Sequence, residues 1–167
     1  MRHILFETSD SYSVAVLIKH TSFNKADVGQ HYFKPLAERG VPAGEVIAFN
    51  LTYNEANKAP AALIKDYLSQ LLPELNALGV KFLYVADASY FKVLAGQSKA
   101  DPHFGYNLPC KVKGFEHMRV ILGVNHHQLI HNPSVQQKLD LSLDTLAQVF
   151  LGTYSPLSHV ASDRGHG

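Results

Sequence analysis

The sequence predicts an α/β fold, a three-layer α/β/α sandwich around a mostly parallel central sheet. Two stretches carry that prediction. The apolar run Phe82-Leu83-Tyr84-Val85-Ala86 ends at Asp87 and passes directly into a helical pattern, Ala88 to Gly96. A second run, Met118 to Val124, ends at Asn125 and leads through a His-rich loop into another helical pattern beginning at Ser134. A buried strand that delivers a polar residue at its carboxyl end and then turns into a helix is the repeating unit of an open α/β sheet. Ligands of such sheets lie beyond the carboxyl ends of the strands, so function is sought in the loops after Val85 and Val124.

The earlier chain follows the same plan. Ile4-Leu5-Phe6 reads as an edge strand or a lead-in, and Val14-Ala15-Val16-Leu17-Ile18 as the first central strand, because an apolar, β-branched run suits burial on both faces. From Asn24 to Glu38, Val28, Tyr32 and Leu36 recur every four residues and Gly40 follows, which predicts an amphipathic helix closed by a glycine turn. Val46 to Asn50 is the next strand, and Leu51 to Pro60 a polar connector. Leu63, Ile64, Tyr67, Leu68, Leu71, Leu72, Leu75 and Leu78 then fall on one helical face. Pro73 interrupts that pattern and predicts a kink or a break before Gly79, since proline removes a backbone donor and crowds the preceding turn.

After the helix that stops at Gly96, residues 97–104 read as an exposed loop. The segment from Gly105 to Met118 alternates around Val112 and carries Gly and Pro near its ends, which predicts a hairpin or irregular strand pair inserted before the last central strand. Val135, Leu139, Leu143, Leu146 and Phe150 form one side of the final helix, with Ser134 at its start and Gly152 just past its end. The domain is expected to span residues 1–152, with Thr153 to Gly167, rich in Ser, Gly, Pro and His, as a flexible tail or linker.

Composition narrows the function classes. A chain of 167 residues with 46% hydrophobic content fits one domain with a sizeable core. Fifteen Lys and Arg against fourteen Asp and Glu leave no global basic field, so any nucleic-acid contact must come from a local face. The single Cys110 excludes an internal disulfide and any four-cysteine metal centre in this chain, and a soluble protein of a reducing compartment is expected. No apolar run reaches membrane-spanning length. Neither a phosphate-binding Gly-x-x-x-x-Gly-Lys-Ser/Thr loop, nor a dinucleotide-binding Gly-x-Gly-x-x-Gly, nor a Gly-x-Ser-x-Gly nucleophile elbow is present, and no cofactor is called for.

Asn125-His126-His127-Gln128-Leu129-Ile130-His131-Asn132-Pro133-Ser134 is the most chemically suggestive loop. It can place imidazoles, amides and the unused N–H groups of a helix start around one concavity that accepts a phosphate, or it can be a capped helix with surface histidines. His126, His127 and His131 offer three nitrogen donors for zinc, yet no fourth ligand is specified, and no metal is assigned. Asp87 can serve as a general base or simply cap the turn that follows it. Phe104 and Tyr106 beside Gly105, followed by Lys111, Lys113 and His117, supply a ring for base stacking and cations for phosphates, or else an edge hairpin with solvated lysines.

The stretch Arg119-Val120-Ile121-Leu122-Gly123, the loop Asn125 to Ser134 and the helix through Leu139 and Phe150 resemble the last strand, loop and helix of the uracil-DNA glycosylase superfamily. In that family the loop carries His-Pro-Ser, whose histidine stabilises the departing uracil anion and whose helix start contacts DNA phosphate. The nearest match here is His131-Asn132-Pro133-Ser134. The order Tyr32-Phe33 with Leu36 and Gly40, Phe82 to Gly96 with Ala88 and Phe91, Gly105-Tyr106, then Asn132-Pro133 and the Leu-rich helix resembles the N-terminal region of family A DNA polymerases of T5-like bacteriophages, over Ser22 to Tyr154.

The resemblance implies a glycosylase-like fold, DNA and polymerase domains or another replication protein as partners, and the cytoplasm of a bacterial host. The sequence departs from the family where chemistry is done. Asn132 separates His131 from Pro133, no water-activating Gly-x-Asp-Pro-Tyr or Gly-x-x-Pro-Gly segment occurs, and Cys110 alone cannot hold an iron-sulfur centre. A non-catalytic DNA-binding or docking module is therefore expected, with Tyr106, Lys111, Lys113, His126, His127, His131 and Ser134 as contact residues. The alternative is a base-excision enzyme in which His131 assists the leaving group and Asp87 or Asn50 orients substrate or water.

Overall fold

A computed structural model describes residues 1–155 of the chain. Its sheet consists of β1 (His3–Ile4), β2 (Val14–Lys19), β3 (Val46–Leu51), β4 (Phe82–Ala86), β5 (Asn107–Pro109) and β6 (Arg119–Leu122), in the spatial order β1-β3-β2-β4-β6-β5. Strands β3, β2, β4 and β6 run parallel, while β1 and β5 are antiparallel edges. The chain leaves β2 for β3 on one side and then crosses to β4 on the other, with Val16 level with both Ala48 and Tyr84. That reversal opens a crevice at the carboxyl ends of β2 and β4.

The central strands bury both faces, and side-chain alternation divides the core in two. Ala15, Leu17, Ile47, Phe49, Leu83 and Val85 face α3 (Ala61–Ala77) and α4 (Ala88–Ala95). Val14, Val16, Ile18, Ala48, Tyr84 and Ile121 face the segment α1 (Lys25–Val28) to α2 (Lys34–Glu38) and the last helix α5 (Val135–Leu151). The period of two places successive residues of one strand against opposite helical layers.

Three local expectations are revised. Helix α3 runs through Pro73 without the break that is one of the two expectations there. Pro73 and Ser69 are both exposed, so the carbonyl released by the missing proline N–H lies on the watered side while Leu68, Leu71, Leu72 and Leu75 stay docked. The helix expected from Asn24 to Glu38 does bury Val28, Tyr32 and Leu36, but between α1 and α2 it widens into a π turn at Gly29–Phe33. That turn lies just upstream of Pro35, whose ring would crowd the residue 31 carbonyl in a regular helix. Finally, β5 pairs with β6 itself rather than with a neighbour inside the insert, and Cys110 N–H donates to the Met118 carbonyl at 2.9 Å to close the connection.

Tyr154, within the segment expected to be a tail, accepts a bond from Asn107 N–H at 3.2 Å and donates to the Gly105 carbonyl at 3.3 Å. The remainder of that segment, from residue 156 on, lies outside the described residues. Among the described residues, no helix is long and apolar enough to cross a membrane.

Candidate functional site

A cleft of about 450 Å³ opens at the carboxyl ends of the parallel strands. Each strand supplies part of it from its end or the loop that follows: Lys19 closing β2 with Thr21 and Ser22 after it, Asn57 after β3, Asp87 after β4, and Asn125, His127, Gln128 and His131 after β6. The loops after Val85 and Val124 therefore meet at one end of the sheet.

Asp87 is held as the N-cap of α4. Its carboxylate accepts the Tyr90 N–H at 2.8 Å, and partial burial raises its pKa against the opposing effect of that bond and of Lys19 and Lys92. Asn125, nearly buried, caps the short 3-10 turn His126–Ile130 by accepting the His127 N–H at 2.9 Å. This turn sends His126 one way and His127 and His131 the other. His127 and His131 are exposed on the cleft side, their rings edge to face with centroids 6.0 Å apart. His126 is 6% exposed and turns into the layer of α1 and α2.

There the Tyr32 hydroxyl organises the loop. It accepts the His126 N–H at 2.8 Å and donates to the Val124 carbonyl at 2.7 Å, while the His126 ring stacks on His31 with centroids 4.8 Å apart. Desolvation, reinforced by His31 and His127 and opposed by Asp27, lowers the His126 pKa to about 4. A neutral imidazole locked under the loop is a structural group, so His126 is not placed to touch a strand in the cleft.

The start of α5 also differs from expectation. Ser134 offers no side-chain cap, and its N–H and hydroxyl both bond to the Asn132 side chain, at 3.2 and 2.5 Å. The next N–H groups are taken as well: Val135 by the Asn132 carbonyl at 3.1 Å, Gln136 by Pro133 at 3.1 Å and Gln137 by Ser134 at 3.4 Å. The residue between His131 and Pro133 thus satisfies donors that would otherwise face an anion. Asn50 is likewise engaged, its amide oxygen accepting the Arg2 N–H at 2.7 Å.

Lys111 and Lys113 lie elsewhere. Lys111 N–H donates at 2.7 Å to Leu94 in the last turn of α4, and nearby His117 contacts Asn76 at the end of α3 at 2.9 Å. Both helix ends sit at the amino ends of the strands, so these lysines face away from the cleft. Tyr106 adjoins β5, beyond the Asn107 to Ile121 pairing, on the sheet edge. Of the sequence-identified residues, the cleft lining brings together Asp87, His127 and His131 and does not include Tyr106, Lys111 or Lys113.

Lys19, Thr21, Ser22, Asn57 and Gln128 were not singled out from the sequence. Lys19 carries the signal that marks Asp87, a polar residue ending a buried run, and its ammonium lies 4.5 Å above the Tyr53 ring. Among the described residues, no three His, Cys, Asp or Glu side chains converge as metal ligands. Compared with known proteins, the chain matches no protein-family model and no curated protein.

Proposed function

We propose that this chain is a non-catalytic DNA-binding module, built on a three-layer α/β/α sandwich of the uracil-DNA glycosylase kind and serving a bacteriophage DNA polymerase. Polymerase domains or another replication protein are its expected partners, in the bacterial host cytoplasm. The observation that carries the binding reading is the cleft where Lys19, His127, Gln128 and His131 converge at the strand carboxyl ends. A cation, imidazoles and amides around one concavity suit the phosphates and base edges of a single strand or an extruded nucleotide. The helices on both sheet faces support the fold reading.

Non-catalysis is favoured because the groups available for acid-base work are already committed: Asp87 as a helix cap, Asn50 to Arg2. The test is a titration of labelled single-stranded DNA across salt concentrations, combined with a uracil-release assay on the same protein. Binding should weaken with salt, Lys19→Glu should lower the logarithmic salt slope by about 1, and no uracil should be released. An affinity indifferent to Lys19→Glu would overturn the cleft as the DNA site. Uracil release that His131→Ala slows would replace this reading with base excision.

A further inference from the structure

Next to the cleft lies a second hollow of about 520 Å³, lined in part by Tyr53, Asn54, Lys58, Pro60 and Ser89. The two share Asn57, which therefore forms the ridge between them. The loop carrying this ridge is well defined by its own bonds. Asn54 N–H donates to the Lys58 carbonyl at 2.8 Å, Lys58 N–H donates to the Asn54 side chain at 3.0 Å, and Asn57 N–H to the Asn54 carbonyl at 2.9 Å. Asn57 is the one described non-glycine residue at positive φ, 61°, a conformation that asparagine tolerates better than most residues.

Tyr53 is fixed from several sides. The Lys19 ammonium sits over its ring, His20 packs at 5.6 Å between centroids, and Tyr90 meets it edge to face at 6.1 Å. Its hydroxyl is buried and without a hydrogen-bond partner, so what Tyr53 offers the hollow is ring carbon rather than a polar tip. Tyr90 also joins the two hollows mechanically, donating its hydroxyl to the Thr52 carbonyl at 2.6 Å while its N–H binds Asp87 at 2.8 Å. The lining of the second hollow contains a lysine and no carboxylate.

We propose that the second hollow is a subsite for the nucleotide adjoining the one held in the first cleft. A single strand passes over Asn57, stacks one base against Tyr53 and Pro60, and sets a phosphate at Lys58. An immobilised ring beside a cation is the pairing that nonspecific single-strand sites use, since every base has a π face and every linkage a charge. The smallest ligand that fills the whole site is then a dinucleotide. This proposal rests on the DNA-binding reading of the first cleft.

The experiment compares the full chain's affinity for thymidine 3′,5′-bisphosphate with its affinity for a four-residue oligothymidylate. The longer probe should bind about tenfold more tightly, and Lys58→Glu should erase that gain while leaving the bisphosphate affinity unchanged. Tyr53→Leu should erase it as well, with circular dichroism reporting whether that variant folds; Lys58, on the surface, keeps the test decisive if it does not. A gain that persists in Lys58→Glu, or no gain in the parent chain, overturns the second subsite alone. Failure of both probes to bind overturns the first-cleft reading together with it.

Discussion

The Tyr32 hydroxyl donates to the Val124 carbonyl at 2.7 Å, joining residues 92 positions apart in the sequence. Through this bond the π turn on one helical layer sets where the loop after β6 begins, and hence where His127 and His131 stand. Tyr32→Phe removes the acceptor for His126 N–H and the donor for Val124 together, leaving two buried backbone groups unpaired. The expected loss is about 1–3 kcal/mol in chemical denaturation, with faster amide exchange at His126. Unchanged stability would show that the loop is held by other contacts.

Gly123 packs against the face of Tyr84, where a Cβ would lie 2.3 Å from the nearest ring carbon. Tyr84 cannot withdraw easily, because its hydroxyl binds Ser142 at 2.7 Å and accepts the Val124 N–H at 3.2 Å. Gly123→Ala should cost about 2–4 kcal/mol through overpacking, and Tyr84→Leu in the same chain should return part of it. Thermal unfolding of the single and double variants checks this.

Asp87 distinguishes capping from catalysis. Asparagine is as good an N-cap as aspartate, so Asp87→Asn should keep the melting temperature near that of the parent, whereas Asp87→Ala should lose about 1 kcal/mol. An equal loss in both variants would mean that the charge, and not the hydrogen bond to Tyr90, matters at this position.

Acid should destabilise the fold through His126. Its folded pKa of about 4 lies below the ordinary value of 6.5, so the unfolded chain takes up a proton first as pH falls. Stability is fully present above about pH 6.5 and is lost progressively toward pH 4, by up to about 3 kcal/mol from this group. The stacked His31 ring, also lowered by burial, adds in the same direction, and Asp27 opposes both. Urea midpoints at pH 7.5, 6.0 and 5.0 should fall in that order, and His126→Gln should flatten the dependence.

Lys111 and Lys113 occupy the end of the sheet opposite the cleft. Charges beyond a Debye length, about 8 Å at physiological salt, contribute little to a contact. Lys111→Glu with Lys113→Glu should leave single-stranded DNA affinity nearly unchanged under conditions where Lys19→Glu weakens it. A loss in the double variant as large as that from Lys19→Glu would move the DNA surface to the amino ends of the strands.

Local patterning along the chain was enough to specify the main strands and helices. Runs buried on both faces named the central strands, four-residue spacing named α3 and α5, and Gly96 and Gly152 ended their helices in the left-handed conformation that glycine permits. It also pointed to the loops after β4 and β6, whose residues line one cleft, because a polar residue closing an apolar run is a local pattern. Which polar residues share a surface depends instead on how the elements pack together. Adjacent His126 and His127 part company because one short turn faces them oppositely, and Lys111 and Asp87 separate because α4 spans the layer between them. Lys19 reaches the site through parallel pairing of β2 with β4, a contact between segments far apart in the chain that no local pattern records.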